Sequence, residues 1–194
     1  MTKINRSDSA YSEYSTPDTI HKSEAVMTHH RTLSWLILAA TTLTLELAAL
    51  YFQHVMSLEP CVLCIYQRVA VGILFTAFLF GAIAPHVSIL RWFSYLIWSA
   101  GALWGLYLAF KQSGLQLGII PPSMSCDVNA KFPEWLKLDE WFPAIFQPSG
   151  FCDDIQWQFI GLSMAQWMIV IMSGYLLLLS LYIYLDIRAR ISRS

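Results

Sequence analysis

Pro60-Cys61-Val62-Leu63-Cys64-Ile65-Tyr66-Gln67-Arg68 sets two cysteines in C-x-x-C spacing at the head of an apolar run that continues to about Ala84. A proline ahead of the pair suits the start of a helix, because it lacks only a donor that would go unpaired there. With a helix starting near Cys61, Cys64 falls on the same face, and the two α-carbons lie about 5 Å apart, within disulfide reach. Arg68 follows one turn further along that face. A thiol at a helix N-terminus and beside a guanidinium is favoured as thiolate, which is how reactive cysteines are made. The run that follows is long enough to cross a bilayer. The stretch therefore reads as a redox pair at a membrane edge.

Working outward, the composition agrees. Of 194 residues, 56% are hydrophobic and only 13% charged, where a soluble domain carries about a quarter charged residues. Four apolar runs of spanning length account for the deficit: about Leu33 to Phe52, Val62 to Ala84, Ile89 to Phe110 and Met164 to Leu185. The expected fold is all-α, a bundle of four transmembrane helices with one long loop. Residues 32–187 form the membrane unit, 1–31 a disordered polar tail and 188–194 a short basic tail. A net charge of -1 argues against nucleic acid as a partner. The first apolar run follows too long a polar lead to be a signal peptide.

Charge sorts the connections onto two sides. Lys3, Arg6, Lys22 and Arg31, the short turn before Arg91, and Arg188, Arg190 and Arg193 fall on one side. The loop before Cys61, without Lys or Arg, and the long loop of about 111–163 fall on the other. The positive-inside rule then puts both termini in the cytoplasm and the cysteines at the far side or its edge. In a bacterial inner membrane that far side is the oxidising periplasm, where disulfides persist. Within the long loop, Trp135, Leu138, Trp141 and Phe142 recur at helical spacing. They predict a short amphipathic helix lying in the lipid headgroup plane.

The chemistry is carried by four cysteines and few charges. Zinc would need a second closely spaced pair, but Cys126 and Cys152 are far apart in sequence, so no metal site is expected. A structural bridge between Cys61 and Cys64 would close too small a loop to constrain the unfolded chain, which favours redox exchange. Cys126 follows Pro121-Pro122-Ser123-Met124-Ser125, and Cys152 follows Pro148-Ser149-Gly150. Both are expected on loose loops, as a stabilising bridge or as a labile one that exchanges with another protein's thiols. Arg68 inside a span is a functional candidate. Glu46, the one acid of the first span, is expected to pair with Arg68 or a polar backbone group, the alternative being a proton path. Gln53 and His54 end that span near the C-x-x-C, as helix-end groups or ligand contacts.

These residues resemble a known family. Pro60-Cys61-Val62-Leu63-Cys64-Ile65-Tyr66, Arg68, Phe132-Pro133-Glu134-Trp135-Leu136 and Leu45-Glu46-Leu47 are similar to the bacterial disulfide bond formation protein B family (DsbB), from about Leu33 to the end of the fourth span. The resemblance implies a four-helix inner-membrane bundle that passes electrons from a periplasmic DsbA-like thiol oxidase to a membrane quinone, ubiquinone or menaquinone. The DsbA–DsbB–quinone chain is the established route that keeps a bacterial periplasm oxidising. On that likeness Cys126 and Cys152 form the disulfide that DsbA attacks, with Cys126 making the mixed disulfide. Cys152 then attacks the Cys61–Cys64 disulfide at Cys61 and releases Cys64 as the thiolate facing the quinone, with Arg68 stabilising the thiolate or a quinone oxygen. Two positions depart from the family's pattern. Gln67 stands in place of a glutamate, removing a charge, and Gln112 in place of a histidine, removing a ring nitrogen. Other readings are a paralogue serving a different thioredoxin-like partner, a non-catalytic scaffold stapled by its cysteines, and a reductase running the other way.

Overall fold

A computed structural model describes residues 17–83, 85–121, 130–134 and 136–191, with side chains from Arg31 onward. Four long helices dominate it: α1 (Pro17–His54), α2 (Val62–Ile83), α3 (Ser88–Gln116) and, last in the chain, α6 (Met164–Ile191). Each contains a stretch long and apolar enough to cross a membrane, that of α1 being Arg31–His54. At 1.5 Å per residue, even α2 is about 33 Å long, enough for the hydrocarbon core. The expected four-helix membrane bundle is thus the observed architecture. The helices overrun the apolar runs. α1 begins at Pro17, ahead of the boundary expected at 31, and α3 continues to Gln116, into the expected long loop.

The chain of packing runs α1 against α2, α2 against α3, and α3 against α6. The core between them is aromatic. Trp98 is fully buried, with its ring edge-on to Phe78 at 4.7 Å, and Trp35 lies 5.7 Å from Tyr95. Such edge-to-face and offset pairs suit the ring quadrupole and add to simple contact. Gly81 admits Trp35, since a β-carbon there would sit 2.5 Å from the indole. α1 and α6 meet through Thr41 Oγ1 and Tyr175 Oη, 2.8 Å apart, and through the rings of Trp35 and Tyr182.

Away from the cysteines the bundle is fastened by charge. Arg91 donates to the Pro85 carbonyl at 2.9 Å and pairs with Asp186 at 3.0 Å, both side chains being buried. Arg190 adds a 3.5 Å contact to Asp186, donates to Ser88 Oγ and lies over the Trp92 ring. The turn between α2 and α3 and the C-terminal end of α6 therefore share one end of the molecule.

The long connection between α3 and α6 carries three small elements: α4 (Leu138–Trp141), α5 (Pro143–Phe146), and a hairpin of β1 (Gln158–Phe159) and β2 (Leu162–Ser163). The single amphipathic helix expected here is instead two one-turn pieces. Phe142, outside the helical region at φ -134 and ψ 64, separates them, because the residue before a proline is disfavoured there. Trp141 and Phe142 are exposed, as an interfacial segment requires. The hairpin was not anticipated. Its two-residue loop has both Ile160 (φ 52) and Gly161 (φ 76) left-handed, the twist-matched form for a tight hairpin.

Candidate functional site

Cys61 sits at the N-cap of α2. Its carbonyl accepts the first helical bond from Ile65 at 3.0 Å, and its Sγ accepts the backbone N–H of Cys64 at 3.3 Å. This is the geometry in which a side chain satisfies an otherwise orphaned helix donor. It also brings the sulfurs together, at 2.8 Å, as two free thiols. The expected shared face is therefore present, with Cys61 buried and Cys64 partly open.

Two glutamines complete the sulfur environment. Gln112, from α3, points its Nε2 at Cys64 Sγ (3.2 Å) and Cys61 Sγ (3.4 Å). Its Oε1 accepts from Gln67 Nε2 at 2.7 Å. Both glutamines are buried, and they are partners. Sequence reading marked each alone. The available signal was that both are uncharged polar residues on helices that bury an apolar core.

Arg68 is buried but does not bond to a sulfur. Its guanidinium donates to Gln53 Oε1, to the Ile145 carbonyl at 2.8 Å and to the Ala49 carbonyl at 3.0 Å. Gln53 in turn donates to the Ala144 carbonyl at 3.0 Å. Arg68 and Gln53 thus tie α1 and α2 to α5. The pairing expected for Glu46 is not formed. Its Oε1 is buried without a hydrogen-bond partner, because Arg68 has turned to backbone carbonyls and an amide that hold it in a planar fork.

Cys152 is bridged, as expected, but its loop is not the loose one expected. The residue is disulfide-bonded and 1% exposed. It packs in one buried cluster with Cys61, Leu63, Leu108 and Leu115. The cause lies in its lead. Ser149 and Gly150 both donate to the Pro60 carbonyl, at 3.0 and 3.1 Å, and Glu59 N–H donates to Gln156 Oε1 at 2.8 Å. Any β-carbon at position 150 would overlap the Glu59 carbonyl, so glycine permits the close approach. Cys126 lies outside the described residues. A second strap crosses α2 where Lys131 N–H donates to Tyr66 Oη at 2.7 Å and Phe132 packs edge-on to that ring.

Beside Cys64 is a cavity of about 290 Å³. One wall is α1 from Leu45 to Gln53, the other α6 from Met164 to Ile171, and Trp157 and Ile155 close it from the loop. Cys61, Cys64, Arg68, Gln112 and Glu46 face apolar walls of Leu45, Phe52, Val71, Trp167 and Ile171, and Glu59, Asp154 and Gln156 stand on the loop side. Few polar groups converging in an apolar pocket is the usual form of a small-molecule site.

A vicinal dithiol capping a helix at the mouth of a four-helix membrane bundle, with a third, disulfide-bonded cysteine packed beside it, defines a membrane-embedded thiol–disulfide oxidoreductase. The family model described as disulfide bond formation protein DsbB matches residues 31–182. Similar proteins named disulfide bond formation protein B include one from Shewanella amazonensis, 51% identical over 148 residues, covering 76% of this chain and 87% of that protein. Another, from Psychromonas ingrahamii, is 49% identical over 149 residues, covering 77% and 80%. A third, from Sodalis glossinidius, is 52% identical over 143 residues, covering 74% and 80%. The chain belongs to the DsbB family, whose business is disulfide bond formation.

Proposed function

We propose that this protein oxidises a periplasmic DsbA-like thiol oxidase and passes the electrons to a membrane quinone, ubiquinone or menaquinone. In this reading residues 32–187 are the redox unit in the inner membrane, the segments 1–31 and 188–194 are cytoplasmic tails, and the cysteines face the periplasm. A partner thiolate attacks the Cys126–Cys152 disulfide at Cys126, forming a mixed disulfide and releasing Cys152 as thiolate. Cys152 attacks Cys61 of an oxidised Cys61–Cys64 pair, so that the Cys61–Cys64 bond breaks and Cys64 leaves as thiolate. The partner's second thiol resolves the mixed disulfide. The freed Cys126 thiolate then attacks Cys152 of the Cys61–Cys152 bond, restoring Cys126–Cys152 and releasing Cys61, so that two electrons rest on the Cys61 and Cys64 thiols.

The observation that carries this reading is the burial of Cys152 in one cluster with Cys61, while Cys64 lines the cavity. Cys152 thus sits against one cysteine of the C-x-x-C while the other opens on the pocket, which supports a relay. The pocket suits a quinone head. It is mostly apolar, close to the lower size of small-molecule sites at about 300 Å³, and presents a buried, unpartnered Glu46 oxygen. Cys64, Arg68 and Gln112 would hold the ring, and Met164, Trp167 and Met168 would supply apolar walls. A bound quinone supplies an acceptor for two electrons and two protons. Arg68 contributes fixed positive charge where water is sparse, and its fork keeps that charge in place.

The test uses the full chain in lipid nanodiscs with a short-tail ubiquinone and a reduced thioredoxin-like dithiol protein. Wild type is expected to consume quinone and dithiol one for one, and Cys64→Ser to consume neither. A wild type that leaves both unchanged would overturn the reading.

A further inference from the structure

We propose that Gln67 and Gln112 form a one-way amide relay that presents N–H, and not carbonyl oxygen, to the Cys61 and Cys64 sulfurs, stabilising thiolate with a group that does not itself titrate. The inference rests on reading Cys61 and Cys64 as the redox pair. Its basis is the polarity of the chain of hydrogen bonds. Gln67 Nε2 donates to Gln112 Oε1 at 2.7 Å, and with that oxygen engaged the NH2 end of Gln112 turns toward the cysteines. That end reaches both sulfurs, at 3.2 and 3.4 Å. Flipping Gln112 alone would oppose two donors at Gln67, and flipping both amides would aim oxygen at the sulfurs, which suits thiol S–H but repels thiolate; the donor arrangement is the one matched to thiolate.

The surroundings make this contact count. The ionisable groups around the cavity, Cys61 aside, are Glu46 of α1, Arg68 of α2, and Glu59 and Asp154 from the loops; α3 and α6 contribute none to its lining. The N–H groups of Arg68 are directed at Gln53, Ala49 and Ile145. Gln112 is therefore the side chain that donates to both sulfurs, and a donor aimed at an anionic acceptor is roughly twice as strong as one aimed at a neutral one. Gln112 touches the reacting atoms, whereas Gln67 acts through it as a positioning residue. The relay is one reason the pair can work without a charged neighbour at position 67 or an imidazole at 112.

The test reads the thiolate directly. In full-length protein carrying Cys61→Ser, Cys126→Ser and Cys152→Ser, Cys64 is the sole thiol, and its alkylation by iodoacetamide is followed across pH. Gln112→Met is expected to slow alkylation at neutral pH about tenfold, the scale of one hydrogen bond to a charged group, and to move the midpoint of the profile to higher pH. Gln112→Asn, which keeps the amide but withdraws it by one methylene, is expected to act in the same direction. Gln67→Met is expected to slow the reaction in the parent but to add nothing in the Gln112→Met background, since the relay acts as a unit. Rates within twofold of the parent for both Gln112 variants would overturn the proposal. So would a Gln67→Met effect of equal size in both backgrounds. No partner or quinone enters this assay, so its failure is separate from failure of the electron route.

Discussion

The backbone N–H of Gly150 donates to the carbonyl of Pro60 at 3.1 Å, and so joins the residue before Cys61 to the lead into Cys152. The bond, with its neighbour from Ser149, satisfies loop donors that burial would otherwise leave unpaired. It also holds the lead into Cys152 against the head of α2, where Cys61 sits.

Gly150→Ala is therefore expected to lift the Cys152 loop without disturbing α2. Overpacking of this kind costs about 1–3 kcal/mol. Oxidation of a dithiol partner should slow, while reoxidation of a chemically reduced Cys61–Cys64 pair by quinone should keep its wild-type rate. Single-turnover measurement of the two half-reactions separates them, and equal slowing of both would contradict the loop's role.

Arg68→Lys should fail to replace arginine. A lysine keeps the charge but cannot reach Gln53, Ala49 and Ile145 with one planar fork. Hydrogen exchange is expected to rise in 143–150 for Arg68→Lys and further for Arg68→Met. Unchanged protection in that segment would show that the guanidinium does not anchor α5.

At the other end, Asp186→Asn leaves Arg91 buried beside an uncharged partner. Breaking a buried pair from one side costs about 3–5 kcal/mol, whereas replacing both partners by apolar residues is often neutral. Equilibrium unfolding in mixed detergent micelles should show a large loss for Asp186→Asn and recovery in Arg91→Met/Asp186→Leu.

Gly81→Ala tests the aromatic core. Because the new methyl would meet the Trp35 ring at 2.5 Å, the indole must shift and the variant should lose about 1–3 kcal/mol in the same assay. Gly72→Ala, where nothing lies within 4 Å, is the matched control and should be close to neutral.

The spans were legible because apolar runs of bilayer length have few alternatives, and the C-x-x-C at the head of α2 announced its own geometry. The loop was less legible. Pro148-Ser149-Gly150 is a flexible lead when read locally, but its donors are claimed by Pro60, far away in sequence. Arg68 and Glu46 looked like a pair on charge alone. The structure spends the guanidinium on carbonyls that no residue pattern encodes. Gln67 and Gln112 meet across two helices, and helix register in a bundle is set by packing, not by either helix alone. The α4–α5 break, by contrast, is written in Pro143, which outweighs the helical spacing of the aromatics around it.

The Arg91–Asp186–Arg190 cluster has a mechanical consequence. It pins α3 to α6 at one extremity, and the Thr41–Tyr175 bond ties α1 to α6 part-way along. Beyond that tie the two helices run on as the opposed walls of the cavity. The bundle is thus clamped at both ends in different ways, by charge between α3 and α6 at one end and by the Arg68 and Gln53 fork onto Ala49, Ala144 and Ile145 at the other. Between those two fastenings α1 and α6 face each other across the cavity beside Cys64, so its width is set at both ends by polar clamps and not by the apolar contacts that line it.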